Sequence, residues 1–351
     1  MGRIVSVLGG ITQDMVTITE RLPDNGETVT SSSFTMSPGG KGANSAVAVH
    51  RLTRPNPKNH VEGRPKTSGE DIQVRMVGAV GDDEFGPALK QCLYNCGVNA
   101  DGVSLVPGRN GIAVTLVEEK TGANRIMQFP GAAYKRKAEE FLTLESLGGG
   151  VKPDLVIAQL ELHRETVEQA IETAYLNHIE VLLNPSPAFY LLPDIYPMIT
   201  HLVMNETEAV LLSLIKPDDI VNQTGWTSVT EYFQKLGVKN IVITLGEKGA
   251  YFLNEWESGY VEAEKDLRIL DTAGAGDSFV GGYTASYMAQ KLDLPEGGKW
   301  DIKAAISNGN KAAARIIEHV GCLEPICWAD EVDKSWYDRE PTAIGEVINA
   351  V

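Results

Sequence analysis

Cysteine is scarce in this chain, which has four cysteines in 351 residues. Cys92, Cys96, Cys322 and Cys327 form no CxxC pair, and no cluster of histidines accompanies them in the sequence. So few thiols at these spacings are not a disulfide framework, and they have neither the pattern of a zinc site nor that of a redox motif. We interpret them as buried or idle thiols.

Basic residues are also in short supply, with 31 lysines and arginines against 47 aspartates and glutamates and a formal net charge of -16. Nucleic acids and anionic membranes need a basic surface, so the composition argues against both as partners. No apolar run approaches the roughly 20 residues that span a bilayer. Residues 3–10 are typical of a short buried strand rather than a signal peptide. The expected location is cytoplasmic, and the sequence does not separate it from a nuclear one.

What the sequence does contain is an alternation of strands and helices, with a hydrophobic content of 43%. Short apolar runs bounded by Gly, Pro or Asn are typical of strands in a parallel sheet that is covered on both faces. Such runs occur at residues 3–8, 74–80, 154–160, 180–183, 201–204 and 240–245. Helices are predicted at residues 164–177, 229–236, 276–290 and 301–318. The pattern indicates a doubly wound, mostly parallel α/β fold.

Two stretches depart from this alternation. Residues 12–35 alternate in polarity and residues 111–129 are typical of a hairpin, so these strands are predicted to pair in a small sheet off the main body. Residues 53–73 contain three prolines and many polar residues, which favours an exposed insertion without a catalytic role. We treat residues 1–351 as a single domain and expect peripheral helices at residues 329–351.

The segment DTAGAGDSFVGG at residues 271–282 indicates an anion-binding loop that begins a helix. Glycine and alanine let backbone N–H groups approach an anion closely, and a helix N-terminus adds positive partial charge. Asp277 lies at the rim, where a carboxylate can take a proton from a hydroxyl that attacks the bound group. The combination predicts phosphoryl transfer. No Walker loop or dinucleotide fingerprint is present, and the segment alone is also compatible with a tight strand-to-helix connection.

A second glycine-rich segment, PGGKGANSAVAV at residues 38–49, leads into an alanine-rich helix. Lys41 and Asn44 supply hydrogen-bond donors beside the glycines, an arrangement suited to a ligand rich in hydroxyls. Alone, this segment is equally compatible with a surface turn before a buried helix. One segment suits hydroxyls and the other suits phosphate. Chance is a poor explanation for finding both in one chain.

Together, GGKGAN at residues 39–44 and DTAGAGD at residues 271–277 resemble the two signatures of the ribokinase-like, phosphofructokinase-B-type family of ATP-dependent carbohydrate kinases. Between them, in the family's order, lie GAVGDD at 78–83, QLE at 159–161, NPSP at 184–187, NETE at 205–208 and TLGEKG at 244–249. The resemblance covers residues 3–330. It implies that the small sheet is a lid over a sugar, and that the γ-phosphate of ATP is transferred to a primary hydroxyl.

The resemblance also implies roles for individual residues. Asp277 would be the general base, and the N–H groups of Gly274, Ala275 and Gly276 would hold the γ-phosphate. Thr12 corresponds to a position where this family usually carries Asn, which leaves the identity of the sugar open. The residues expected to contact the sugar, besides Asp277, are Thr12, Asp14, Gly40, Lys41, Asn44 and Glu161.

On the nucleotide side, the residues that match family positions for ATP are Asn205, Thr244, Gly246, Glu247, Lys248, Gly249, Gly276 and Asn310. Glu208 would act on Mg²⁺ through water, because Mg²⁺ keeps several of its own waters. Pro325 replaces the usual Ser in a site for an activating monovalent cation, K⁺. That site would involve Asp271, Ala273, Ile316, His319, Gly321 and Pro325.

Three functions remain open at this point. The first is a kinase for the 5-hydroxyl of D-ribose, which the complete GGKGAN segment favours. The second is a family kinase for another substrate, such as a nucleoside, 2-keto-3-deoxygluconate or a ketohexose, and Thr12 is its main support. The third is a non-catalytic sugar or nucleotide sensor, which would be expected to have lost Asp277. The implied partners are a small sugar, ATP and a second copy of the chain bound through the lid.

Overall fold

The computed structural model describes residues 3–59, 66–120, 124–216, 218, 220, 222–295 and 298–332. Within these residues the chain alternates strands with helices. The strands are β1 (Ile4–Leu8), β2 (Thr12–Thr19), β3 (Ser31–Gly39), β4 (Gln73–Gly81), β5 (Asn99–Val106), β6 (Gly111–Glu118), β7 (Asn124–Phe129), β8 (Leu155–Gln159), β9 (Glu180–Asn184), β10 (His201–Asn205), β11 (Asn240–Thr244), β12 (Gly249–Leu253) and β13 (Ser258–Glu262). The helices are α1 (Lys41–Leu52), α2 (Gly86–Asn95), α3 (Arg164–Leu176), α4 (Glu206–Ser213), α5 (Gln223–Lys235), α6 (Ala275–Asp293), α7 (Ile302–Ile316) and α8 (Ala329–Val332).

Nine strands form the main sheet, in the order β13-β12-β11-β10-β9-β8-β1-β4-β5. Pairing is parallel from β11 to β5, whereas β12 and β13 run antiparallel at one edge. Side chains of β8 alternate between two cores: Leu155 and Ile157 pack on the side of α1, α6 and α7, and Val156 and Ala158 on the side of α3 and α5. Helices therefore cover both faces, which confirms the doubly wound α/β prediction.

The strand order reverses beside β1, which pairs in parallel with β8 on one side and β4 on the other. In an open α/β sheet, ligands bind beyond the carboxyl ends of the strands at such a reversal. Gly9 and Gly10 follow β1, and Glu161 lies just beyond β8. The topology therefore brings a predicted sugar contact to the position where this class of sheet binds its ligands.

The pattern of apolar runs does not indicate β5, β12 or β13. β13 is an edge strand in which exposed and half-buried residues alternate, so it lacks the continuous apolar run of a central strand. Helix α5 begins at Gln223, well before the predicted residue 229. Its start is set by a cap rather than by apolar spacing, since Asn222 Oδ1 accepts a hydrogen bond from the Gly225 N–H at 3.3 Å.

Four strands form a second sheet in the order β3-β2-β6-β7, which confirms the small sheet predicted from residues 12–35 and 111–129. We call it the lid. β2 runs antiparallel to β3 and parallel to β6, and β6 runs antiparallel to β7. The register aligns Asp14 with Ala113 and Ala113 with Gln128, so the three side chains share one face. Because Gln128 contacts the main body, we call this the inner face.

The outer face of the lid is apolar and open to solvent. It carries Phe34, Met36, Met127 and Phe129, which are 59%, 48%, 59% and 53% exposed. Successive side chains along a strand point to opposite faces of the sheet. Each of these four residues is an odd number of positions away from the row that contains Asp14 and Gln128, so its side chain lies on the opposite face. Single exposed apolar residues are ordinary, but a contiguous group marks an interaction surface.

The predicted insertion at residues 53–73 is attached to the C-terminal helix α8. The Asn56 N–H donates to Asp330 Oδ1 at 2.7 Å, and Asn59 Nδ2 donates to Asp330 Oδ2 at 2.8 Å. Residues 60–65 and 333–351 lie outside the described residues, so of the expected C-terminal helices only α8 is seen. Across the described part of the chain, no helix has the length and apolar character needed to cross a bilayer.

Candidate active site

Helix α1 begins directly after lid strand β3, and the turn between them requires glycine. Gly40 has a φ of 96°, and a Cβ there would lie 2.8 Å from the Thr12 backbone nitrogen. A Cβ on Gly39 would overlap the Asp14 carboxylate. The absence of side chains at Gly39 and Gly40 lets Lys41, the first residue of α1, lie near Asp14. Burial raises the pKa of Asp14, and the charge of Lys41 offsets a small part of that rise.

The loop before α6 leaves open space in front of backbone N–H groups. Gly274 is the N-cap with a φ of 75°, and an added Cβ would lie 2.9 Å from Ile316 Cδ1 and 3.1 Å from the Cys322 carbonyl oxygen. A Cβ on Gly276, in contrast, would meet no atom within 4 Å. The N–H groups of Gly276 and Asp277 fall in the first helical turn, which supplies them with no acceptor, whereas the Ala275 N–H makes a long hydrogen bond of 3.4 Å to the Thr272 carbonyl. The loop therefore offers both donors and room for an anion.

One hydrogen bond joins the two glycine-rich motifs. Asn44 Nδ2 donates to Asp277 Oδ2 at 3.0 Å across 233 residues of sequence. The two residues are 4% and 6% exposed. Asn44 Oδ1 is buried and has no hydrogen-bond partner among the described residues. Because an unpaired buried acceptor costs about 1–3 kcal/mol, this oxygen indicates a place where a ligand hydroxyl donates.

Gln159 and Ser45 support the other side of Asp277. Gln159 Nε2 lies 3.4 Å from Asp277 Oδ1 and 3.0 Å from Ser45 Oγ, and Gln159 is fully buried. Burial raises the pKa of Asp277, and the charge of Lys41 and these hydrogen bonds offset the rise only in part. A carboxylate with a raised pKa is a stronger base, which suits proton abstraction from a hydroxyl.

Asp14 lies on the inner face of the lid. Burial raises the pKa of Asp14 to about 6, although a hydrogen bond from Thr12 lowers it, and the negative charge of Asp277 adds to the rise. Thr12 Oγ1 donates to Asp14 Oδ1 at 2.6 Å, and Thr12 is 2% exposed. Thr12 therefore orients Asp14, while its own contact with the sugar stays a prediction.

Lys41 is the positive centre of the site. Burial lowers the pKa of Lys41, but the charges of Asp277, Glu161 and Glu208 outweigh burial and raise it. The ammonium is therefore firmly charged among carboxylates that come from the end of β8, from α4 and from α6. Such a group can balance the negative charge that a phosphate brings into the site.

The Glu161 side chain accepts hydrogen bonds from three parts of the structure: the turn after β1, helix α1 and the lid. It is 4% exposed, and its Oε2 accepts hydrogen bonds from the N–H groups of Gly10 at 3.0 Å and Gly42 at 3.3 Å. Its Oε1 accepts a hydrogen bond from Gln128 Nε2 of β7 at 3.0 Å. Burial raises the pKa of Glu161, against the opposing charge of Lys41. The fold thus brings the predicted Glu161 to the same site as Lys41 and Asp277.

Asn205 and Glu208 cap the start of α4 reciprocally. Asn205 Oδ1 accepts from the Glu208 N–H at 2.8 Å, and the Asn205 N–H donates to Glu208 Oε2 at 2.9 Å. The NxxE segment is therefore a capping box as well as a predicted ligand site. Burial raises the pKa of Glu208, whose charge also interacts with those of Lys41 and Asp277.

The predicted nucleotide loop follows β11. Gly246 and Gly249 have φ values of 58° and 114°, and a Cβ on Gly249 would overlap a backbone carbonyl of β13. Asn310 Nδ2, on α7, donates to the Glu262 carbonyl at 2.9 Å, so its amide joins α7 to the end of β13. The other predicted ATP contacts of this loop are Thr244, which is half-buried, and Glu247 and Lys248, which are exposed.

Two of the residues predicted for a monovalent cation, Ala273 and Gly321, donate hydrogen bonds to a third, Asp271. Its Oδ1 accepts from the Ala273 N–H at 2.9 Å and its Oδ2 from the Gly321 N–H at 3.1 Å. In the described ranges, no group of three or more His, Cys, Asp or Glu residues could hold a metal. A cation here would therefore depend on backbone carbonyls. The remaining predicted members, in the last turn of α7 and the segment after it, are Ile316, His319 and Pro325.

Comparison with known proteins identifies the family of this chain. The family model for pfkB family carbohydrate kinases matches residues 3–329. The chain belongs to this family. It is 33% identical to a ribokinase of Schizosaccharomyces pombe, over 96% of this chain and 99% of that protein. A deoxyribokinase of Salmonella typhi is 32% identical over 83% of this chain and 87% of its own length. A ribokinase structure from Thermotoga maritima superposes with a TM-score of 0.76 at 27% identity, covering 95% of this chain and 98% of that one.

This ATP-dependent carbohydrate kinase also contains site residues to which the sequence analysis gave no role. Ser45 and Gln159 lie inside the glycine-rich and QLE segments, so their place in those segments is the sequence signal that points to them. Gln128 lies outside every quoted segment. Only the pairing of β6 with β7 and the contact with Glu161 reveal it.

Proposed function

We propose that this kinase transfers the γ-phosphate of ATP to the 5-hydroxyl of D-ribose and so forms ribose 5-phosphate. The observation that carries the proposal is the buried Asn44–Asp277 pair, in which a carboxylate of raised pKa adjoins an unpaired acceptor. Asp14, Lys41 and Glu161 supply further polar groups for a hydroxyl-rich ligand. The relatives named ribokinase support ribose as that ligand.

In the proposed reaction, Asp277 takes the proton of the 5-hydroxyl while the hydroxyl oxygen bonds to the γ-phosphorus. The bond from that phosphorus to the bridging oxygen breaks, and ADP leaves. The N–H groups of Gly274, Ala275 and Gly276 stabilise charge on the transferred group, an effect worth about 3 kcal/mol for one such donor. Positioning and electrostatics of this kind supply most of the catalysis in phosphoryl transfer.

Mg²⁺ would neutralise charge on the phosphates, and a single carboxylate fits it because the ion keeps most of its waters. Glu208 is the residue we propose to hold it, through water. For K⁺ we propose the carbonyl oxygens around Asp271, which suit a cation that binds oxygen ligands. The proposed ATP contacts are Asn205, Thr244, Gly246, Glu247, Lys248, Gly249, Gly276 and Asn310.

The test is an ATP-consumption assay over D-ribose, 2-deoxy-D-ribose, D-fructose and adenosine, each with and without K⁺. Ribose is expected to give the highest kcat/KM, with ribose 5-phosphate as the product identified by NMR. A higher value for a nucleoside or a hexose would overturn the ribose assignment and leave the carbohydrate-kinase activity intact. Equal rates with and without K⁺ would remove the proposed activator.

Phosphorylation of 2-deoxyribose is the second candidate. It is favoured by the relative named deoxyribokinase and by Thr12, whose short side chain replaces an amide beside Asp14. The non-catalytic sensor has little support, because Asp277 and its open loop are both retained.

We also propose that the outer face of the lid binds the same face of a second copy. Phe34, Met36, Met127 and Phe129 form a patch that a symmetric pair would bury on both copies. Light scattering is expected to give the mass of a dimer for the wild type and of a monomer for a Phe34→Ser, Met127→Ser variant. A monomeric wild type would contradict this proposal.

A further inference from the structure

Gln128 differs from its neighbours on β7 in where its side chain ends. Ile126, Met127 and Phe129 are 63%, 59% and 53% exposed. Gln128 is exposed as well, but its Nε2 donates to the buried Glu161 Oε1 at 3.0 Å. A long polar side chain on an open strand that reaches a buried carboxylate of the body is a directed contact. It joins the lid to the residue at the strand-order reversal.

The carboxylate of Glu161 keeps one hydrogen-bond acceptor position on Oε1 after it binds Gln128. Oε2 already accepts the N–H groups of Gly10 and Gly42. Each carboxylate oxygen accepts about two hydrogen bonds, so Oε1 can take one donor besides Gln128. A hydroxyl in that position would lie next to the Gln128 carboxamide, because both donors share one oxygen. The carboxamide also has a second N–H and a carbonyl oxygen, so it can bind the same hydroxyl.

The register of the lid places this carboxamide opposite Asp14. Asp14, Ala113 and Gln128 are aligned on β2, β6 and β7, so two strand spacings, roughly 9–10 Å, separate the outer two. Only the methyl group of Ala113 fills the interval on the inner face. The lid therefore presents a gap of about the width of a sugar ring, with a carboxylate on one side and a carboxamide on the other.

We propose that Gln128 is a specificity residue of the sugar site, which together with Glu161 selects substrates that place a hydroxyl at Glu161 Oε1. This rests on the proposed function, since it takes Glu161 as a sugar contact. A sugar without that hydroxyl leaves both polar groups with one partner fewer, and sites built to bind a hydroxyl reject analogues for this reason.

The test compares kcat/KM for ribose with that for each of its mono-deoxy analogues, in the wild type and in Gln128→Leu. The wild type is expected to discriminate against one analogue in particular. Gln128→Leu should reduce that discrimination roughly three- to tenfold, through a higher KM for ribose and an unchanged value for the analogue. An unchanged ratio for all analogues would overturn the proposal. If the wild type prefers another sugar, the ribose assignment fails separately, and the same comparison is made with that sugar and its deoxy analogues.

A second variant, Gln128→Glu, keeps the shape and adds a charge. The new carboxyl group would face Glu161 and could donate only when protonated, because like charges so close do not both ionise. The kcat/KM of this variant relative to wild type is therefore expected to rise as the pH falls. A pH-independent ratio would show that the two groups do not meet in the active enzyme, and would overturn the proposal.

The matched control is Gln13→Leu, the same change elsewhere in the lid. Gln13 Nε2 donates to the Ser37 carbonyl at 2.8 Å and lies 3.4 Å from the Asp14 backbone carbonyl, so its contacts stay within the lid and involve backbone oxygens alone. Any loss of lid stability in this variant should lower kcat/KM by the same factor for ribose and for every deoxy analogue. A selective change in Gln13→Leu, equal to that in Gln128→Leu, would assign the specificity to the lid as a whole and count against Gln128.

Discussion

The body and the lid differ in how firmly they hold their site residues. In the body, Asn44, Gln159 and Asp277 are 4%, 0% and 6% exposed and are joined by hydrogen bonds. In the lid, Asp14 is only partly buried, on a four-stranded sheet that exposes Phe34 by 59% on its other face. A close-packed core fixes its geometry before any ligand arrives, whereas a thin sheet with few buried contacts is the part that a ligand can still arrange. From this difference we expect the chemistry to depend on the body and the choice of substrate to depend on the lid.

The largest effect is expected in the body, from Asp277→Asn. The amide keeps the shape and the Asn44 contact region but cannot accept the proton, so kcat should fall roughly 10²- to 10⁴-fold. ATP affinity, measured by calorimetry, should change little because the loop donors remain. Asp293→Asn, at the exposed end of the same helix, is the control and should retain full activity. A near-normal kcat in Asp277→Asn would remove the proposed mechanism.

The next largest effect is expected in the lid, from Asp14→Ala. Removing a partner of sugar hydroxyls should weaken sugar binding by about 1–3 kcal/mol, while the affinity for ATP alone stays unchanged. Asp24→Ala, in an exposed turn of the lid, is the control. An equal loss of sugar and ATP affinity in Asp14→Ala would mean a folding defect, and the division between lid and body would fail.

A smaller effect tests whether the body tunes its base through Gln159. The hydrogen bond from Gln159 lowers the pKa of Asp277, so Gln159→Leu should raise that pKa further. Because the base must be ionised, the acid side of the kcat profile should move to higher pH. The profile is measured at saturating sugar. Under this condition sugar binding does not limit the rate, so the titration of Asp14, whose pKa is about 6, does not dominate the pH dependence of kcat. An unchanged profile, or a shift to lower pH, would contradict the assignment.

The smallest effect is expected for Thr12→Asn in the lid. Thr12 acts on Asp14 through its hydroxyl, so the change should alter the ratio of kcat/KM for ribose and 2-deoxyribose by less than roughly tenfold, the value of one neutral hydrogen bond. If ribose is the substrate, the amide should keep or improve its kcat/KM. No change in the ratio would show that Thr12 does not influence the choice of sugar.

The sequence predicted the parts of this kinase that leave a local signature. Alternating polarity predicted the small sheet, which the structure confirms. Glycine turns and a carboxylate in the first turn of a helix predicted the anion loop and Asp277 as the base, and these roles stay predictions. Gln128 could not be predicted, because its importance depends on a hydrogen bond to Glu161, which lies in a different sheet layer and 33 residues away. The capping role of Asn205 and Glu208 was missed for another reason: the NxxE segment was interpreted only as a ligand site, although the same pair of side chains caps α4.

The sequence distance between Asn44 and Asp277 also sets how long helix α1 waits for helix α6 during synthesis on the ribosome. Helix α1 buries ten of its twelve residues, and it packs so closely on α6 that a Cβ added to Gly281 would overlap Ala48. A ribosome that adds 5–20 residues per second needs roughly 10 to 50 s to synthesise the 233 residues between the two partners. Throughout that interval the apolar surface of α1 has emerged without its partner. We therefore expect the segment that contains α1 to be exposed to aggregation for longer during synthesis than segments whose partners follow closely in the chain.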